Sequence, residues 1–124
     1  MGFPSRDFKD LQVWQRAMRV AREVYILARK FPPEERYALS DQIHRCAVSI
    51  PSNIAEGQQR KGRQEFAQFI SYAQGSRAEL QTQLLLARDF EYLTDEEIKP
   101  IFYELEEIGK MLYSLTNAIT KNQN

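Results

Sequence analysis

The chain has 124 residues, 43% hydrophobic and 27% charged, with five Gly, five Pro, one Cys and one His. That size supports one domain spanning 1–124 with a modest core, and the composition excludes disorder and collagen-like repeats. Seventeen basic residues balance seventeen acidic ones, so no global positive field announces a nucleic-acid partner, and a lone Cys excludes an intrachain disulfide.

The N-terminus, MGFPSRDFKD, lacks the apolar run of a signal peptide. No stretch approaches the ~18 apolar residues of a membrane span, which predicts a soluble cytoplasmic protein with no membrane role. Breakers at Pro32-Pro33, at 58–62 and at Tyr92–Asp95 divide the chain into four segments. Each is roughly 25–30 residues long, far beyond a usual strand. Only 17 residues are Val, Ile or Thr, whereas Ala, Leu, Gln, Glu, Lys and Arg dominate. Four helices are therefore predicted.

In the first segment, Leu11, Val13, Trp14, Ala17, Met18, Val20, Ala21, Val24, Tyr25, Leu27 and Ala28 cover about 200° of a helical wheel. A surface helix needs an apolar stripe of only about 100° or somewhat more. The excess predicts a second covering surface, most simply another subunit. Long aromatic side chains spreading over a single core are the alternative.

The second segment, about Glu34 to Gln59, places Leu39, Ile43, Cys46, Ala47, Ile50 and Ile54 on one side. Pro51 lies inside it, and a kink at Ile50-Pro51 is expected because the ring presses on the carbonyl of Ala47. The third, about Arg63 to Glu91, turns Phe66, Phe69, Ile70, Ala73, Leu80, Leu84 and Ala87 inward. Gly75-Ser76 near its middle either admits a neighbouring backbone or is a weak spot costing roughly 1 kcal/mol relative to Ala.

The fourth segment repeats Ile98, Ile101, Leu105, Ile108, Leu112, Leu115 and Ile119 in steps of three and four. Thr94 and Glu97 form a capping-box pattern, with Leu93 and Ile98 as its hydrophobic staple. Pro100 predicts an irregular first turn, or a helix beginning near that residue. Short connections between long helices give an all-α, antiparallel up-down-up-down four-helix bundle.

Chemistry-bearing constellations are scarce. A di-iron bundle needs Glu-x-x-His pairs from two helices, yet His44 is the only His and has Asp41 and Gln42 before it. Cys46 and His44, two apart, fall on different helix faces and are too few for zinc. Cys46 lies on the apolar stripe and reads as a buried thiol. Glu104, Glu106 and Glu107 read as a solvated face. There is no phosphate-binding glycine loop. No catalytic residue, metal or cofactor is expected.

Charge is unevenly spread. Residues 1–31 hold seven Lys/Arg against three Asp/Glu, whereas residues 94–124 hold three against six. Arg16, Arg19, Arg22, Arg29 and Lys30 share the polar arc of the first helix, and Arg60, Lys61 and Arg63 cluster at the second turn. In an oligomer such patches repeat and weak phosphate contacts add. Alternatively, these residues pair with acidic groups on the fourth helix and leave a neutral surface.

Several stretches together carry a resemblance: Phe8–Trp14, Phe31–Leu39, Ser49–Gly57, Phe66–Ile70, Ala73–Ser76 with Glu79-Leu80, and Ile108–Leu112. They resemble the bacterial four-helix-bundle proteins encoded in intervening sequences of large-subunit rRNA genes, over about residues 8–115. The resemblance implies a compact bundle assembling into a ring, typically a pentamer. Kinship with the accessory protein of diversity-generating retroelements implies a possible RNA or DNA ligand. His44 stands where that family often has Arg, and Gln58 where an aromatic is frequent.

Within the family signature Ser49, Pro51, Asn53, Glu56 and Gly57, the proline bends the helix, and small Ser49, Ser52 and Ala55 permit close approach. Asn53 and Glu56 offer polar groups beside the bend. The leading expectation is an oligomer that neutralises nucleic-acid phosphates through Arg16, Arg19, Arg22, Arg29, Lys30, Arg60, Lys61 and Arg63. The alternative is a structural adaptor for a protein encoded nearby.

Overall fold

The structure is a computed structural model that describes residues 7–121. Residues 1–6, read above for a signal peptide, lie outside the described residues. Four long helices account for most of the chain: α1 (Gln12–Ala28), α2 (Leu39–Gln58), α3 (Arg63–Asp89) and α4 (Asp95–Thr120). Two short 3₁₀ turns, Phe8–Asp10 and Pro33–Glu35, precede α1 and α2. No strand occurs among the described residues.

Each helix packs against two others, α1 with α2 and α4, and α3 with α2 and α4, around one core. Cross-helix contacts run in descending register. Arg16 of α1 and Lys30 just beyond its end meet Glu104 and Glu97 of α4, while Cys46 and Gly57 of α2 meet Ser76 and Phe66 of α3. The core is aliphatic, with Ile43, Ile50, Ile54, Ile70, Leu84, Ile108 and Leu112 fully shielded beside Phe66.

Helix ends follow local chemistry with three departures from expectation. The helix expected from Glu34 begins at Leu39, because Pro33–Glu35 form a 3₁₀ turn and the Glu35 carboxylate accepts from the Leu39 N–H at 3.2 Å. Helix α4 begins at Asp95 rather than near Pro100. The capping box is complete, with Glu97 N–H donating to Thr94 Oγ1 at 3.1 Å and Thr94 N–H donating to Glu97 Oε1 at 2.9 Å. Satisfying those two terminal donors outweighs the one bond Pro100 removes on an exposed face.

The third departure is the end of α3, where no glycine is available. Tyr92 N–H donates to Ala87 O and Glu91 N–H to Arg88 O, both at 2.9 Å, which is a Schellman motif. Its left-handed residue is Glu91, at φ 65°, a conformation costing about 1–2 kcal/mol for a residue with a Cβ.

The close backbone approach expected at Gly75 occurs elsewhere. A Cβ at Gly75 would meet nothing within 4 Å. A Cβ at Gly57 would stand 2.7 Å from Phe69 Cβ, and one at Gly109 would stand 2.7 Å from the Arg77 guanidinium. Gly57 thus lets α2 lie close on α3, and Gly109 lets Arg77 lie across α4, where Gln74 also donates to the Gly109 carbonyl at 2.9 Å.

Candidate functional site

The apolar arc of α1 divides in two. Val13, Ala17, Val20, Ala21, Val24 and Ala28 are buried and occupy about 100° of the wheel. Beyond them Trp14 and Met18 are half-buried and Tyr25 is 42% exposed. These three, with Val48, Pro51 and Ala55 of α2, line an open groove of about 670 Å³ between the two helices. Phe8 closes one end, its ring edge-on to Trp14 at 5.3 Å. Tyr25 stacks on His44 at 4.0 Å, so the histidine serves here as an aromatic platform. Arg22 and Arg29 stand on the rim.

The predicted basic residues are not one free cluster. Arg16 is held in a two-point pair by Glu104, with Nε–Oε1 at 2.9 Å and Nη2–Oε2 at 2.8 Å. Those hydrogen bonds hold the Glu104 carboxyl below its usual range and raise the Arg16 guanidinium further. Lys30 pairs with Glu97. Arg60 pairs with Glu56 at 2.7 Å and lies over the Phe69 ring at 4.8 Å. Among the described residues, Arg19, Arg22, Arg29, Lys61 and Arg63 have no carboxylate within ion-pair distance. The first three lie along exposed α1, and the last two flank the α2–α3 turn. Of the acidic run, Glu104 is therefore a pairing group. Glu106 accepts from Gln81 at 2.9 Å, and Glu107 from Lys110 at 3.3 Å.

The Ser49–Gly57 segment faces two ways. Pro51 is buried and forms part of the groove wall toward α1, and α2 runs through it as continuous helix. On the opposite side Ser49 Oγ lies 2.5 Å from Ser76 Oγ, and Asn53 Nδ2 donates to the Ser49 carbonyl and hydroxyl at 2.8 and 3.1 Å. Gly57 admits α3, while Glu56 points outward to Arg60. Gln58 is buried and accepts from Gln59 at 2.8 Å.

Cys46 extends this polar seam, its Sγ donating to the Ser76 carbonyl at 3.0 Å. Burial, reinforced by Glu79, pushes the thiol up to about 12, so it stays protonated. Among the described residues no group of three or more His, Cys, Asp or Glu is placed to hold a metal.

Two residues escape the sequence reading. Arg36 joins Arg29 and His44 around a second opening. Gln83 is buried on α3 with a side-chain oxygen that has no partner. Its spacing from Leu80 and Ala87 places it on the apolar stripe, and a polar residue at such a position was the available signal.

Fold and surface together define an all-α protein of four long helices, with an apolar groove on one flank and a polar seam on another. No described helix is long and apolar enough to cross a membrane. The chain belongs to the 23S rRNA-intervening sequence protein family, whose model matches residues 9–114. A solved protein of unknown function from Bacteroides thetaiotaomicron VPI-5482, of the S23 ribosomal protein family, is similar to it with a TM-score of 0.77 at 28% identity. The alignment covers 84% of this chain and 97% of that one. No curated protein matches the chain.

Proposed function

We propose that this protein is a non-catalytic, homo-oligomeric module, an antiparallel bundle whose subunits meet through the α1/α2 groove. The carrying observation is that Trp14, Met18, Tyr25, Val48 and Ala55 remain open to solvent in the isolated chain, a contiguous apolar surface of the kind that marks an interaction site. Descending cross-helix register supports the antiparallel topology.

A second copy is the favoured occupant because the chain carries a complementary patch. On the outer face of α4, Glu96 and Tyr103 are exposed a heptad apart with Lys99 between them, an aromatic to enter the groove and a carboxylate to meet its rim at Arg22 or Arg29. Groove on one subunit and α4 face on the next are different patches. Such a heterologous contact closes into a ring when the rotation allows, and the pentamer implied by the family resemblance is such a ring.

Size-exclusion chromatography with light scattering tests this reading. The wild type is expected at a multiple of 14.6 kDa, and Met18→Glu is expected to return it to one chain with its helical circular dichroism intact. A wild type that stays at the mass of one chain overturns it.

Nucleic-acid binding is a second reading, favoured by Arg19, Arg22 and Arg29, exposed along α1 and at its C-cap with no carboxylate within ion-pair distance among the described residues. It predicts phosphate-directed, salt-sensitive binding without base preference. Arg16, Lys30 and Arg60 contribute less, being held by Glu104, Glu97 and Glu56. A gel shift unchanged by the triple Arg19, Arg22, Arg29 to Ala variant counts against it, and co-purification of one protein without nucleic acid favours the adaptor alternative.

A further inference from the structure

The second opening, of about 480 Å³, lies where the end of α1 meets the start of α2. Phe31, Pro32 and Pro33 of the connecting segment form an apolar wall, and Arg29, Arg36, Ser40 and His44 a polar one. We infer that this opening is a binding site for a phosphoryl dianion, held by the guanidinium forks of Arg29 and Arg36.

The first observation is that two guanidiniums share the opening without a compensating carboxylate. Asp41 is the one acidic residue in the lining, and its Oδ2 is held at 3.0 Å by Arg45, which lies outside the opening. Glu35, next to Arg36 in the chain, is committed elsewhere. Its Oε1 accepts from the Leu39 N–H at 3.2 Å and its Oε2 from the Tyr92 hydroxyl at 2.7 Å. By contrast, Arg16, Arg60, Arg77 and Arg88 each have a carboxylate within ion-pair distance. Two like charges are thus left in one recess, and an anion between them relieves their repulsion.

The second observation is the balance of donors and acceptors. Among the described residues, the Ser40 hydroxyl, the His44 ring nitrogens and the Tyr25 hydroxyl make no hydrogen bond to the protein. The His44 ring is fixed by its stack on Tyr25 and keeps an N–H in either neutral tautomer. The nearby backbone acceptors are spent. Ile26, Leu27 and Ala28 carbonyls accept from Arg29, Lys30 and Phe31, and those of Pro32 and Pro33 from Glu35 and Arg36. The opening therefore presents donors beside two positive charges. A carboxylate has oxygens and charge for one guanidinium fork, whereas a phosphoryl dianion has them for two. The wall of Phe31, Pro32 and Pro33 gives an organic carrier an apolar surface, kept rigid by the two prolines.

Two sources carry this chemistry, inorganic phosphate and a phosphate monoester. Titration calorimetry on the full-length protein, at constant ionic strength and slightly alkaline pH, uses phenyl phosphate, inorganic phosphate and benzoate. Saturable binding of a phosphate at one site per chain is expected. Tighter binding of phenyl phosphate assigns an ester, and equal or tighter binding of the inorganic ion assigns free phosphate. Benzoate is expected to bind at least tenfold more weakly than phenyl phosphate.

Arg36→Gln and Arg29→Gln are each expected to weaken phosphate binding at least tenfold with helical circular dichroism intact. Lys110→Gln, exposed on α4 and outside the opening, is expected to bind like wild type. Because Arg36 and His44 enter neither the assembly nor the nucleic-acid reading, this result is independent of both. The inference is overturned if neither phosphate binds saturably, if benzoate binds as tightly as phenyl phosphate, if Arg36→Gln binds like wild type, or if Lys110→Gln weakens binding equally.

Discussion

Substituting alanine at Gly57 and at Gly75 applies one chemical change to two helices with opposite expected outcomes. Either change gains about 1 kcal/mol of helix propensity. At Gly75 nothing opposes that gain, since the added methyl meets no atom within 4 Å; a net stabilisation of about 0.5–1 kcal/mol is expected. At Gly57 the methyl would sit 2.7 Å from Phe69 Cβ, 3.1 Å from Phe66 Cδ1 and 3.3 Å from the Phe66 carbonyl oxygen.

Phe69 Cβ and the carbonyl are anchored to the α3 backbone, so the helices must separate rather than a side-chain tip swing aside. Overpacking of this kind costs about 1–3 kcal/mol, leaving a net loss of up to about 2 kcal/mol. Both variants are read by urea and thermal unfolding at one protein concentration, because assembly would couple stability to concentration. At about 4 °C per kcal/mol for a chain of this size, Gly75→Ala should melt a few degrees higher and Gly57→Ala several degrees lower. A Gly57→Ala protein that melts at or above wild type refutes the close α2–α3 contact.

Arg16→Met should cost about 1–2 kcal/mol at neutral pH, between the values for exposed and buried pairs. Because Arg16 lowers the Glu104 carboxyl in the folded state, the unfolded state binds the proton more readily. The pair's contribution is therefore present above the usual carboxylate range and is lost as pH falls through the depressed folded value. The gap between wild type and variant in a urea series should accordingly be full at pH 7 and shrink below about pH 4; a pH-independent gap argues against the pair. Cys46, with its thiol raised to about 12, should react with a disulfide reagent at pH 8 only as fast as the protein opens. Labelling within seconds, unaffected by denaturant, would contradict its burial.

What the sequence made legible is what local chemistry decides. The Thr94–Glu97 box, the Ile98–Ile119 stripe and the breakers at 32–33 and 58–62 each act within a few residues of chain: the box starts α4, the stripe faces the core, and the breakers fall in the connections between helices. The end of α3 was legible only approximately, since a Schellman turn built on Glu91 lacks the usual glycine. Pairings were not legible. Pairing of the basic arc with acidic groups of the fourth helix was one alternative, but nothing near Arg16 in the sequence singles out Glu104, 88 residues away, as its partner. For the same reason Gly75 drew attention while the glycines that touch a neighbour, Gly57 and Gly109, did not.

The pairing of α1 with α4 also orders the folding of the chain. Helices α2 and α3 share the most extensive contact and are joined by a four-residue turn, so their union closes a short loop. Joining α1 to α4 closes nearly the whole polypeptide, at a greater loop-closure cost. The seam where the first stave of the barrel meets the last is thus expected to close last and work loose first, with the amides along it exchanging earliest. A neighbour seated in the α1/α2 groove would act as the hoop.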